Sequence, residues 1–142
     1  MNSARSAGFR LAFSGLLLFL LGLALGFAVN AVPTNKPLLS AHEAALGSGT
    51  FLISLGAFWS LYMKSAGRLL VPATWLSHYA LTGALFVYAF RATQNVATPM
   101  LAVSCVAVAI ATLCLIARFW IEGRSSSAVA QAVVSPPLIA AE

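Results

Sequence analysis

Residues 11–32 read LAFSGLLLFLLGLALGFAVNAV, an apolar run of 22 residues with no charge after Arg10. Coiled as an α-helix it covers about 33 Å at a rise of about 1.5 Å per residue, enough to cross a hydrocarbon core about 30 Å thick. A secretory leader is the competing reading, because Arg5 and Arg10 form a basic start and Val29-Asn30-Ala31 resembles a cleavage site. The apolar stretch is long for a leader's hydrophobic region, which favours a retained helix.

Three more runs of this kind follow, over residues 41–63, 69–90 and 97–121. Pro33, Asn35 and Pro37 interrupt the chain between the first and second. Residues 64–68, with Lys64, Gly67 and Arg68, form a short polar turn, and 93–98 separate the third run from the fourth. Pro72 falls in the first turn of the third helix, where a missing N–H costs little. Residues 124–142, rich in Ser and Ala and containing Pro136-Pro137, read as a flexible C-terminal tail. The pattern predicts an all-α, integral membrane four-helix bundle over residues 1–123.

Composition agrees. Of 142 residues, 61% are hydrophobic and 8% are charged, against about 25% charged in water-soluble domains. A soluble fold of this size cannot hide so much apolar surface. Membrane lipid is therefore an expected partner. The net charge of +5 does not point to nucleic acid, because the basic residues are scattered at the ends of apolar runs. Arg5, Arg10, Lys64, Arg68, Arg118 and Arg124 fall on one side of such a bundle, and Lys36 and Arg91 on the other. That bias predicts cytoplasmic N- and C-termini in a bacterial-type inner membrane. Cys105 and Cys114, nine residues apart in one helix, are about 13.5 Å apart along the axis, too far for a disulfide.

Lipid tails are as apolar as leucine, so membrane helices associate through small residues and buried polar contacts. Gly8, Gly15 and Gly22 recur every seven residues, and Gly22-x-x-x-Gly26 is a small-xxx-small site. In the second helix Gly49 and Gly56 share a face with His42, while Gly47, Thr50, Ser54 and Ala57 line an adjacent strip. These patterns suit a tight bundle and self-association into a homo-oligomer.

Polar groups inside a span are functional candidates. The second run opens Ser40-Ala41-His42-Glu43, and Ser40 with Glu43 has the spacing of a capping box. On that reading His42 lies in the first helical turn, near the positive end of the helix dipole, which favours the neutral ring. Neutral imidazole is the form that ligates metal or haem iron. The plain alternative is an interfacial histidine bonded to a loop carbonyl. In the third helix Trp75, His78 and Thr82 share a face, with Tyr79 beside it. An ordinary interhelical hydrogen-bond seam accounts for these residues equally well. The sequence holds no nucleophile elbow, paired carboxylates, zinc spacing or phosphate loop. Asp is absent, which argues against a proton-coupled transporter.

Residues 13–27 (FSGLLLFLLGLALGF), Ser40-Ala41-His42, Ser48-Gly49-Thr50-Phe51-Leu52, Leu55-Gly56 and Trp59 together resemble the hydroxylaminobenzene mutase family. Trp75-Leu76 and Tyr79-Ala80 extend the likeness. More distantly, Ala41-His42 followed by Ser48-Gly49 is similar to styrene oxide isomerase. Two departures stand out: Glu43 is one position earlier than the family's glutamate, and Ser48 replaces its asparagine. The resemblance implies a membrane isomerase or mutase that rearranges a small aromatic substrate, arylhydroxylamine to aminophenol or epoxide to carbonyl. It implies haem b, with His42 as axial ligand of the iron, held within a trimer. Ser48, at the family's asparagine position, and Trp75, His78 and Tyr79, on or beside one face of the third helix, are the candidate catalytic set. A non-catalytic haem-binding or electron-transfer subunit using His42 and His78, or an accessory membrane subunit, is the other expectation.

Overall fold

The computed structural model describes residues 3–32, 34–64, 67–90 and 94–134. It contains four helices in chain order: α1 (Ser3–Ala31), α2 (Lys36–Tyr62), α3 (Leu70–Tyr88) and α4 (Gln94–Val134). All four are long and apolar enough to cross a membrane, the apolar part of α4 being Thr98–Glu122. The protein is an all-α, integral membrane four-helix bundle.

The helices are longer than their apolar stretches. α1 begins at Ser3 rather than at residue 11, because polarity marks the edge of lipid and does not stop backbone hydrogen bonding. α2 begins at Lys36 rather than at 41. Its N-cap is Asn35, whose side-chain oxygen accepts from Leu38 N at 3.1 Å, and Pro37 lies in the first turn. Pro37 therefore opens the helix instead of breaking the chain. The capping box expected of Ser40 and Glu43 does not exist; both residues are exposed on the body of α2. α4 starts at Gln94, inside the expected linker, and runs to Val134. The expected tail from 124 is thus helical as far as 134, where Ala and Gln are good helix formers, and residues 135–142 lie outside the described residues, as do Pro33 and Arg91.

The closest packing is between α1 and α2, which run antiparallel. Gly8 lies against Gly56 and Ser60, Gly15 against Gly49 and Ile53, and Gly22 against Leu46. The seven-residue repeat of glycines on α1 meets the seven-residue repeat on α2, so the two backbones approach along their length. Leu11, Leu18 and Leu52 fill the seam and are fully buried. These glycines are taken up within the chain. The strip formed by Gly47, Thr50, Ser54 and Ala57 instead faces outward.

α3 packs on α2 and α4. Trp59, fully buried, closes the α2–α3 end: its ring meets Phe119 of α4 edge-on at 6.1 Å. Gly67, with φ of +53°, presses its backbone against that indole; a side chain there meets both a strained backbone and the ring. Lys64 N donates to Glu122 Oε2 at 3.2 Å, and Glu122 pairs with Arg118 at 2.6 Å. Arg10, Lys64, Arg68, Arg118 and Arg124 therefore gather at one end of the bundle, as the charge pattern requires. Cys105 and Cys114 are free and exposed on α4.

Three threonine hydroxyls inside the spans are satisfied locally. Thr74 bonds the Leu70 carbonyl, Thr82 that of His78 and Thr112 that of Val108. Each is a bond to the residue four back on the same helix, which lets a polar side chain sit in lipid without an interhelical partner.

Candidate functional site

Among the polar contacts that cross between helices, two involve imidazoles. Asn35 sets the first. By capping α2 and donating Nδ2 to the carbonyl of Ala89, the residue that follows α3, at 3.1 Å, it fixes where α2 begins and hence which way His42 points. His42 is seven residues into α2, not in its first turn, so the dipole argument for its neutrality lapses. The charge at a helix N-terminus fades within the first turn.

A different contact decides which ring nitrogen carries a proton. His42 Nδ1 lies 2.7 Å from the Gly22 carbonyl of α1. A carbonyl only accepts, so Nδ1 carries the proton and Nε2 of the neutral ring keeps its lone pair. Gly26 makes room for the ring: a Cβ there would lie 3.0 Å from Cε1 and 3.3 Å from Nδ1. His42 is half-buried, and every buried side-chain nitrogen or oxygen among the described residues has a partner. Nε2 has none, so it reaches the surface of the bundle. The plain alternative was right about the carbonyl and wrong about its source, which is the opposite helix rather than a loop.

The second imidazole belongs to His78, buried on α3. Its Nδ1 is 2.9 Å from Ser48 Oγ of α2, and Phe51 lies over the ring at 5.2 Å between centroids. Among the described residues Ser48 has no second hydrogen-bond acceptor, so its hydroxyl donates to Nδ1, and Nε2 of His78 carries the ring proton. The two imidazoles thus differ: His42 offers a lone pair at Nε2, and His78 a proton. They also face different helices. Six residues separate His42 from Ser48, which at about 100° per residue turns one toward α1 and the other toward α3.

Trp75 and Tyr79 form a third group. Their rings meet edge-on at 6.1 Å, and Tyr79 donates to the Ser14 carbonyl of α1 at 3.0 Å. Both line a cleft of about 720 Å³ between α1 and the start of α3, together with Arg10 and Arg68. His42 bonds α1 at Gly22 and Tyr79 bonds it at Ser14; eight residues are about 12 Å along the helix. The structure therefore brings together Ser48 with His78, and Trp75 with Tyr79, and sets His42 apart from the second pair. Thr82, on the same face as His78, spends its hydroxyl on its own helix.

Sequence reasoning missed Asn35, Phe51, the Gly22 carbonyl and the Arg10–Arg68 cleft. Asn35 left a signal: an Asn two residues before a Pro suits a cap followed by proline in the first turn. The others depend on helix rotation and leave none.

The donor set at His42 is a single imidazole. Among the described residues no three His, Cys, Asp or Glu side chains converge, whereas haem brings four ring nitrogens and asks the protein for an axial ligand. His42 has the features of such a ligand, a free Nε2 with Nδ1–H anchored on a backbone carbonyl. Comparison with known proteins adds no identity: no family model, no curated protein and no solved structure matches the chain.

Proposed function

We propose that this chain is a membrane-embedded isomerase or mutase that rearranges a small aromatic substrate, an arylhydroxylamine or an aryl epoxide, with haem b held by His42. The observation that carries this reading is the Nδ1–H bond from His42 to the Gly22 carbonyl, which orients the ring and leaves Nε2 as the nitrogen with a lone pair for a metal. Haem iron, if held at that nitrogen, would supply Lewis-acid polarisation of a substrate oxygen. Gly22 anchors the imidazole through its carbonyl and Gly26 leaves room for the ring. Phe86 and Phe90, edge-to-face at 5.3 Å, lie at the end of α3 that Asn35 ties to α2, in the half of the bundle that holds His42. Their faces suit positive charge developing on an aromatic ring. Ser48 keeps the ring proton of His78 on Nε2, where it is available to an oxygen.

We place the arginine-rich end in the cytoplasm of a bacterial-type inner membrane, on the charge bias between the two ends. The outward strip of Gly47, Thr50, Ser54 and Ala57 is the face on which copies of the chain would assemble, a trimer being the state the resemblance implies.

The test is product analysis. Membranes containing the protein are fed hydroxylaminobenzene and, separately, styrene oxide, with His42→Ala alongside and the visible spectrum recorded. Expected are an aminophenol or an arylacetaldehyde, a Soret band, and loss of both in His42→Ala. Haem without product favours the second reading, a non-catalytic haem-binding subunit, which the separation of His42 from Trp75 and Tyr79 also suits. Product without haem would keep the chemistry and overturn the cofactor.

A further inference from the structure

The cleft between α1 and α3 lies outside the His42 site and has its own chemistry. Its rim carries Arg10 and Arg68, both exposed, with Ser3 and Ser6 beside them. Neither guanidinium has a carboxylate partner among the described residues, in contrast to Arg118, which pairs with Glu122. Deeper in, the walls turn apolar and aromatic, with Phe13, Leu17 and Trp75. The lipid side is open: Phe13 is 51% and Leu17 47% exposed.

The order of these groups along α1 is informative. From Ser3 to Leu17 the helix rises about 21 Å, passing from hydroxyls through a cation into pure hydrocarbon. A soluble anion would use only the rim. A ligand that satisfies both levels is itself graded, with an anionic head and a hydrocarbon tail.

We infer that this cleft binds an anionic phospholipid of the adjoining leaflet, its phosphate between Arg10 and Arg68 and an acyl chain along Phe13, Leu17 and Trp75. Guanidinium suits phosphate because its planar donors match two oxygens at once. Basic pockets between membrane helices are the usual sites for such headgroups. Tyr79, tied to the Ser14 carbonyl, and Trp75 against it form a fixed aromatic wall. The cleft therefore has its shape before lipid arrives. This inference stands independently of the haem reading, since no residue of the cleft touches His42.

Native mass spectrometry of the full chain in mild detergent tests it. The protein is titrated with phosphatidylglycerol, with phosphatidylcholine of the same acyl chains, and with inorganic phosphate. The first phosphatidylglycerol is expected to bind on the order of tenfold more tightly than phosphatidylcholine, two arginines each contributing a modest factor. Arg10→Gln with Arg68→Gln should bring the two lipids within about twofold. Arg5→Gln with Arg124→Gln, the same change in net charge elsewhere, should leave the preference intact. Trp75→Ala should weaken both lipids together. Equal binding of the two lipids, a preference that survives the Arg10/Arg68 change, or an equal loss in the Arg5/Arg124 pair would overturn the site. So would full displacement of phosphatidylglycerol by millimolar phosphate, which would mean a free-anion site instead.

Discussion

Gly15 and Gly49 face each other with their backbones in contact: a Cβ built on Gly15 would lie 2.7 Å from the Gly49 carbonyl oxygen, and one on Gly49 would lie 2.8 Å from that of Gly15. The clash is backbone on both sides, so no rotamer change relieves it. Gly49→Ala should therefore lower the unfolding free energy by about 1–3 kcal/mol, the usual range for overpacking. Gly83→Ala, where a Cβ meets nothing within 4 Å, should be neutral or stabilise by up to about 1 kcal/mol through helix propensity. Reversible unfolding in mixed micelles with increasing SDS measures both. Equal costs at the two positions would contradict the α1–α2 seam as the main contact of the fold.

The Ser48–His78 bond makes a prediction about pairs. Either Ser48→Ala or His78→Leu alone leaves a buried polar atom without its partner, at about 1–3 kcal/mol. The double variant should cost less than the sum. Coupling between such groups in membrane proteins averages about 0.6 kcal/mol and reaches about 1.7. A double-mutant cycle by the same unfolding assay gives the number, and a coupling of zero would mean the two side chains do not share a proton.

Asn35 has two jobs that substitutions can separate. Asn35→Ala removes both the cap on Leu38 N and the link to Ala89, and should cost about 1–2 kcal/mol. Asn35→Asp keeps the acceptor but loses the amide donor, so its cost should be intermediate. Hydrogen exchange at Leu38, whose amide donates to the Asn35 side chain, should quicken in the first variant and stay slow in the second, with a smaller change at Leu39, which donates to the Asn35 backbone carbonyl.

Gly26 controls the room available to His42. In Gly26→Ala the added methyl, 3.0 Å from Cε1 in the present geometry, must push the imidazole away from its carbonyl anchor. Loss of such outer contacts typically weakens metal binding by about 10–100-fold. On the proposed reading, in which His42 holds haem, haem retention through gel filtration should fall accordingly while helicity is unchanged. Gly83→Ala, where the new Cβ is in open space, serves as the control. Full retention in Gly26→Ala would separate the imidazole's position from haem binding.

How much of this was legible in the chain differs by kind of feature. The four spans were, because insertion into lipid responds to apolar content summed over about 20 residues, and the sum is insensitive to which way any one side chain points. The glycine repeats were legible for the same reason: seven residues is close to two turns, so spacing alone places them on one face. Helix ends were not, since Ser3 and Lys36 start helices in polar sequence that no lipid-based count distinguishes from a loop.

The site residues divide in the same way. His42 and His78 stood out as imidazoles in apolar runs, and composition alone named them. What each ring does was decided only by tertiary contacts. The Gly22 carbonyl fixes the proton of one, the Ser48 hydroxyl fixes that of the other, and about 100° of rotation per residue along α2 turns His42 and Ser48 to different neighbours. The separation of Trp75 and Tyr79 from His42 is of this type, because it depends on where α3 lies along α1. A sequence determines how much of itself belongs in lipid and along which stripes its helices can touch. Packing decides which carbonyl meets which nitrogen, because a hydrogen bond depends on a few tenths of an ångström and on direction, and neither is a property of any single helix.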